Sequence, residues 1–266
     1  MSTPVVPVVA PGALLTRCNP LACLGASVVV LLGLVLTVDP VTPGIVLAGE
    51  LIALPRVGVR LGTVLRRSWF LLAAAAGVAV SNLLFAPRGD APVLVTIGPF
   101  AATTVSLAAA AGITLRLLAV GLPGVVLGVT LDPRALADAL SQQLHAPVAF
   151  TFSALAALRM VPLLGDDWRT LMMARRSRGV AGGGPLARVR LAGQALFVLL
   201  VSAIRRGTRL ALAMDARAFD SGIPRTWAHA SRFHTRDRWL LAGTVLLVAA
   251  AGTVSVATGQ WRWLGA

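Results

Sequence analysis

The groups of this chain best suited to recognition are guanidinium side chains. In MMARRSRGV, residues 172–180, Arg175, Arg176 and Arg178 fall within four positions, and in AMDARAFDSG, residues 213–222, Arg217 stands near a second expected helix end. A guanidinium is a planar fork of donors matched to carboxylates, and an exposed helix end has the shape to enter a groove. The same residues have a plainer use. Arginine near a helix C-terminus is favoured by the macrodipole by about 0.3–1 kcal/mol, and a basic residue beside a bilayer gains roughly 1 kcal/mol from anionic lipid. Physics alone leaves docking and lipid attraction open. Two helix tips that each carry an arginine after a small residue tilt the balance toward docking.

Other chemistry finds little support. All 24 basic residues are arginine and there is no lysine, so neither a phosphate-binding P-loop nor a Schiff base can be built from this chain. If ATP drives it, a partner must hydrolyse it. His145, His229 and His234 lack helical metal-site spacing, and no G-x-S-x-G or H-E-x-x-H run occurs; they read as solvated loop histidines. Cys18 and Cys23 have no metal-finger spacing and read as buried free thiols. NPLACLG around Cys23 faintly resembles a lipoprotein cleavage site, but Pro20 interrupts the approach and no charged and apolar regions precede it, so a cleaved signal is rejected. AGGGP, residues 181–185, has no strand before it and no lysine after it, and reads as a joint between helices. No catalytic residue, cofactor site or metal site is expected.

The elements that present the arginines must sit in or on a membrane. The chain has 266 residues, 57% of them hydrophobic, with a mean hydropathy of +0.82, against an apolar share of about 45–50% in soluble domains. The net charge of +14 could meet nucleic acid, anionic lipid or an acidic protein; the long apolar runs make nucleic acid the poorest of the three. Residues 21–38 carry no charge and form a first span, residues 45–54 a short second one containing Glu50, and residues 69–86 a third. An acid within a span faces protein or water, as a functional group or in a structural hydrogen bond. Residues 93 to about 115 form a fourth span, continuing through Arg116 and a kink at GLPG to Thr130; Gly124 and Gly128, four apart, would permit close helix contact. The last span, residues 239–257, is flanked by Trp239, Trp261 and Trp263, suited to the interfacial belt. Arg56, Arg60, Arg66 and Arg67 follow the second span without an acid, which sets that loop in the cytoplasm, the N-terminus inside and the C-terminus outside.

Residues 132–238 differ from the rest. They hold 16 of the 24 arginines against seven acids, an excess that belongs on the cytoplasmic side. The longest uncharged run there, residues 191–204, rises only about 21 Å, short of a span, so long helices lying along the membrane face are expected, apolar on one side and basic on the other. One runs from Asp166, with Asp166 and Asp167 in its first turn, to Arg178 and a stop at Gly179; the next runs from Pro185 to about Phe219. The expected fold is all-α: a polytopic membrane protein with about five transmembrane helices, comprising residues 1–131, a cytoplasmic-side coupling domain of amphipathic helices at 132–238, and a C-terminal transmembrane helix at 239–266.

ARRSRG at residues 174–179 and AMDAR at residues 213–217, on successive helices after several spans and before a last one, make this chain resemble the transmembrane T component of energy-coupling factor transporters, of the EcfT and CbiQ type. That family carries two Ala-Arg-Gly signatures at the tips of its coupling helices. The first here is Ser177-Arg178-Gly179. The second is Ala216-Arg217-Ala218, where alanine in place of glycine is expected to let the helix run on to Ser221. The resemblance implies a non-catalytic, multi-pass subunit of the bacterial plasma membrane. Its signature arginines, here Arg178 and Arg217, would dock two ATP-binding cassette ATPases, one each, and transmit their motion to a membrane-embedded substrate-binding S component for uptake of a vitamin, precursor or metal ion. The alternative is a self-sufficient permease, for which only Glu50 and Arg116 offer ionisable groups at membrane depth.

Overall fold

A computed structural model describes residues 18–35, 37, 39–59, 61–85, 93–97, 100–179, 184–217, 219, 227 and 229–259. The chain divides into two compact units, residues 1–136 with 231–266, and residues 137–230.

The first unit is built from α1 (Pro20–Val35), α2 (Val41–Arg56), α3 (Leu61–Arg67), α4 (Trp69–Phe85), a hairpin of β1 (Val93–Ile97) and β2 (Phe100–Thr103), α5 (Thr104–Thr130) and α9 (Thr235–Ala257). The first and last helices run side by side in the same direction, because buried carboxylates fasten both of their ends. At one end Asn19 caps α1, its side-chain oxygen accepting the Leu21 N–H at 3.0 Å, while its own N–H donates to Asp237 Oδ1 of α9 at 2.8 Å. The other Asp237 oxygen accepts the His234 N–H at 2.8 Å. At the far end Asp39, in the turn after α1, accepts the Thr42 N–H at 2.8 Å, the Thr42 hydroxyl at 2.6 Å and the Ser255 hydroxyl of α9 at 2.6 Å. Asp237 is fully buried and Asp39 almost so.

Between these pins the helices meet through small residues, the usual way apolar helices approach without a hydrophobic drive from water. Gly33 lies so close to Val248 of α9 that an added methyl group would overlap the valine side chain. Val30, Leu34, Val46, Ala119 and Ala251 form one buried cluster among α1, α2, α5 and α9; Leu54, Val59, Val64 and Val126 form a second around α3. Gly124 and Gly128, expected as contact glycines, have no atom of another element within 4 Å of where a Cβ would stand.

Residues 93–103 are not helical as expected. VLVTI, four of its five residues β-branched, forms β1 and pairs antiparallel with β2, Val95 opposite Ala102 and Ile97 opposite Phe100. A short apolar run carries no period that separates strand from helix. The helix begins at Thr104 and continues through Pro123 without a break, 27 residues to Thr130, so GLPG does not interrupt it. Residues 87–92, which carry Arg88 and Asp90 between the third and fourth expected spans, lie outside the described residues, as do Trp261 and Trp263.

α6 (Pro133–Gln143) starts after Asp132, whose side chain accepts the Arg134 N–H at 3.0 Å, and it crosses the boundary between the units. It ends with His145 in the left-handed region at φ 52° and the Ala146 N–H donating to the Leu140 carbonyl at 3.1 Å. The second unit then consists mainly of α7 (Val148–Ser177) and α8 (Pro185–Asp215). α7 is continuous over 30 residues, so Asp166 and Asp167 lie in its middle and not in a first turn. The apolar period runs unbroken across them, and Pro162 is accommodated inside the helix. α8 ends at Asp215, short of the expected Phe219. At 30 and 31 residues these helices rise about 45 Å each. Both are long and apolar enough to cross a membrane, as are α5 and α9, which corrects the expectation that this segment is too short to span. The whole is a polytopic all-α membrane protein with one small β-hairpin.

Two outcomes follow from the pins and contacts. Burial raises the affinity of the Asp39 carboxyl for its proton, but the hydrogen bonds from Ser255 and Thr42 outweigh that and hold it below the usual carboxylate range. Its stabilisation is therefore complete above the ordinary carboxylate range and lost as pH falls through the depressed value. Asp39→Asn should cost about 1.5–3 kcal/mol at pH 7, with the gap to the parent closing on acidification, read from thermal unfolding across pH. Gly33→Ala should destabilise by about 1–3 kcal/mol because branched Val248 cannot retreat, whereas Gly124→Ala should be neutral or stabilising by up to about 1 kcal/mol in the same assay.

Candidate functional site

Local backbone rules create the first arginine tip. α7 closes at Ser177; Arg178 takes the capping position, and Gly179 turns left-handed at φ 71° with its N–H donating to the Arg176 carbonyl at 3.0 Å. Only glycine adopts that conformation without steric penalty, and it stops the helix where the sequence places it. The Ser177 hydroxyl is spent locally on the Ala174 carbonyl at 2.9 Å. Arg175 is the member of the cluster that turns inward: its Nη1 donates to the Leu191 carbonyl of α8 at 2.9 Å. Arg178 is exposed and has no hydrogen-bond or ion-pair partner among the described residues.

The second tip ends differently. The Ala216 N–H still donates to Leu212, then the Arg217 N–H donates to Met214 at 3.0 Å and the Phe219 N–H to the same carbonyl at 3.1 Å, a tightened final turn without a left-handed glycine. The helix therefore stops at Asp215, and the expected continuation toward Ser221 does not start. Ala218 and Ser221 themselves lie outside the described residues. Ala216 and Arg217 are exposed, and Arg217 is likewise unpaired among the described residues.

Three contacts define how α7 and α8 lie together. Arg175 meets Leu191; Asp167 Oδ2 meets Arg206 Nη2 at 2.7 Å; and the Phe152 and Phe219 rings pack edge to face, centroids 6.0 Å apart. As the α7 position decreases the α8 position increases, so the helices are antiparallel. Arg178 and Arg217 consequently stand at opposite ends of the hairpin, separated along its axis by roughly 35 Å of helix rise. Asp167, read from sequence as a dipole-complementing acid, is the bridge between the two helices, and Asp166 makes only an exposed contact to Arg169 at 3.5 Å. Phe152 and Phe219 were missed because no sequence period links positions 67 apart.

Large apolar side chains stand exposed along both helices, among them Phe150, Val161, Leu186, Val189, Phe197 and Leu212. Such a surface requires lipid or another protein against it. No group of three or more metal-ligating side chains occurs among the described residues, and His145, His229 and His234 are each exposed. Cys23 is buried and Cys18 half-buried, both as free thiols. Glu50, for which a structural hydrogen bond was one expectation, has both carboxylate oxygens buried without a partner among the described residues; Arg116 Nε and Nη2 are in the same condition.

Comparison with known proteins follows the same lines. The family described as cobalt transport protein, CbiQ, matches residues 12–226. The energy-coupling factor transporter transmembrane protein EcfT of Leuconostoc gelidum is 34% identical over 156 residues, 55% of this chain and 58% of the relative. EcfT of Listeria innocua is 33% identical over 181 residues, 65% of this chain and 64% of the relative. A putative ABC transporter ATP-binding protein of Bifidobacterium longum is 29% identical over 178 residues, 63% of this chain but 22% of that longer protein. The chain thus spans a little over half to just under two-thirds of the length of these EcfT relatives. With the family match extending over most of its residues and through both arginine tips, this chain belongs to the CbiQ family of transmembrane transport proteins.

Proposed function

We propose that the chain is the non-catalytic coupling subunit of an energy-coupling factor importer, gripping two ATPases at Arg178 and Arg217 and passing their motion to a membrane-embedded substrate-binding subunit. The observation that carries this reading is the pair of exposed guanidinium groups, without partners among the described residues, at opposite ends of the α7–α8 hairpin. Two cationic tips some tens of ångströms apart suit two separate acidic grooves, one on each ATPase, better than a single partner. A hairpin that joins two grips is also a lever: if the two ATPases approach each other, the helix ends must be carried with them.

The other parts of the reading have their own support. With no lysine in the chain, the ATP chemistry is assigned to partners, and a relative named as an ATP-binding protein includes a region like this chain. The exposed apolar faces of α7 and α8 offer the substrate-binding subunit a surface beside the bilayer. Arginine excess in residues 132–238 supports a hairpin lying along the cytoplasmic face and not across the bilayer, with Ser177, Arg178 and Gly179 forming one grip and Ala216, Arg217 and Ala218 the other. The N-terminus is then cytoplasmic and the C-terminus external. The vitamin, precursor or metal ion carried is chosen by the substrate-binding subunit.

Copurification with the ATPases tests the grips. Arg178→Ala or Arg217→Ala alone should weaken the complex by about 2 kcal/mol or more, roughly thirtyfold, and the double reversal Arg178→Glu with Arg217→Glu should abolish it together with uptake. Arg209→Glu, which carries the charge change of one such reversal at an exposed position on α8 away from either tip, should leave the complex intact. A double reversal that still assembles and transports, or an Arg209→Glu variant that fails as badly, would refute docking in favour of general attraction to lipid. Transport by the chain alone in liposomes without ATP would refute the coupling role.

A further inference from the structure

The first unit contains a cavity of about 690 Å³ between α1, α2, α5 and α9, within the size range of small-molecule sites. Its walls are mostly aliphatic, with Val30, Leu54, Leu122, Val126 and Leu247 among them. Cys18 and Arg236 stand toward the end where α1 and α9 begin; Glu50 stands near Leu247, whose side chain abuts Gly49. From Arg236 to the level of Leu247 α9 rises about 16 Å, so the cavity is elongated, with a cation toward one end and a carboxylate toward the other.

Glu50 is the unexplained group in it. Both of its oxygens are buried and neither accepts a hydrogen bond from any described residue. The hydroxyls that line the same walls cannot serve: Ser27 Oγ donates to the Cys23 carbonyl at 3.1 Å and Thr244 Oγ1 to the Leu240 carbonyl at 2.9 Å, each within its own helix. An ordered water needs two to four polar partners, and past Glu50 these walls offer it few. An acid held inside a membrane bundle normally faces a specific partner. A lipid tail would fill the aliphatic space and leave both oxygens without donors. An ammonium group satisfies them, since it brings three N–H donors and the opposite charge in a compact head.

We infer that this cavity binds an amphiphilic primary amine, its ammonium head hydrogen-bonded to Glu50 and its alkyl body laid along the aliphatic wall. The site is independent of the ATPase grips, and all of its lining residues belong to the first unit. It gives the membrane-embedded part of the chain a ligand of its own, chosen by charge at one point and by shape elsewhere.

The two cysteines of the chain report on occupancy, because both line the cavity and the sequence has no others. The full chain in phosphatidylglycerol nanodiscs is treated with N-ethylmaleimide at fixed pH, and alkylation of Cys18 and Cys23 is followed by mass spectrometry with dodecylamine, dodecyltrimethylammonium, dodecanol or dodecanoate present. Dodecylamine should slow alkylation about tenfold at a concentration where the other three have little effect, the difference expected of one charge-assisted contact. Glu50→Gln should remove that preference and Glu50→Asp should retain it in weaker form. Equal protection by dodecanol or dodecanoate would mean a general apolar groove and overturn the proposal, as would a preference that survives Glu50→Gln. Protection without added amine in phosphatidylethanolamine nanodiscs, lost in Glu50→Gln, would identify a lipid headgroup as the source of the ammonium and support the site, whereas protection by copurified partner subunits alone would assign the donor to a partner side chain and overturn it. If Glu50→Gln does not fold, the parent chain's response to the four amphiphiles decides.

Discussion

Asp237 and Asp39 each take hydrogen bonds from residues more than 200 positions away, and those bonds close the chain on itself. Asn19 meets Asp237 at one end of the α1–α9 pair and Asp39 meets Ser255 at the other, so the last helix is fixed beside the first in direction and in height. A carboxylate out of contact with water is costly unless its lone pairs are met. That cost makes the pairing selective: a shift of α9 by one turn would take the Asn19 bond from Asp237 and the Ser255 bond from Asp39 at once. Gly33 against Val248 adds the steric counterpart, since the helices can come this close only in the register that sets the glycine opposite the branched side chain.

Residues 137–230 form a compact unit of their own, entered within α6 and left before α9. Within it, α7 and α8 are tied, among the described residues, by a hydrogen bond from the Arg175 guanidinium to the Leu191 carbonyl, the Asp167–Arg206 ion pair and the Phe152–Phe219 ring contact. A hairpin joined so sparingly, with aliphatic side chains exposed along both members, is built to be completed by other surfaces. The antiparallel course then sets the exposed guanidinium groups of Arg178 and Arg217, neither with a partner among the described residues, at opposite ends of the hairpin.

The first unit is uneven in how it satisfies its charges. Asp237 accepts hydrogen bonds on both oxygens and Asp39 accepts three on Oδ2, its Oδ1 being left without a partner, whereas neither oxygen of Glu50 and neither Nε nor Nη2 of Arg116 meets a partner among the described residues. Glu50 lies where the helices part to leave a cavity, and Asp39 lies where they are pinned together. The contrast separates a carboxylate that holds the bundle from one that is left for something else to meet.

Much of this was legible in the residues themselves. Apolar runs marked α1, α2, α4, α5 and α9, whereas the charges along α7 and α8 hid that these too are long and apolar enough to cross a membrane; the want of lysine excluded a lysine-bearing P-loop; and Gly179 marked the end of α7 because left-handed backbone is a property of the residue at that point. These are local properties, carried by composition, period and single-residue conformational cost. The β1–β2 hairpin was misread as helix because an apolar run of five has no period, and Asp166 was misplaced at a helix start because its acid pair imitates one. Tertiary structure alone decided which aspartates are pins, that Arg175 turns inward, where Arg178 and Arg217 stand relative to each other, and that Glu50 meets no partner among the described residues. Each of those depends on contacts between residues far apart in the chain, and helix periodicity says which face is apolar without saying which helix will cover it.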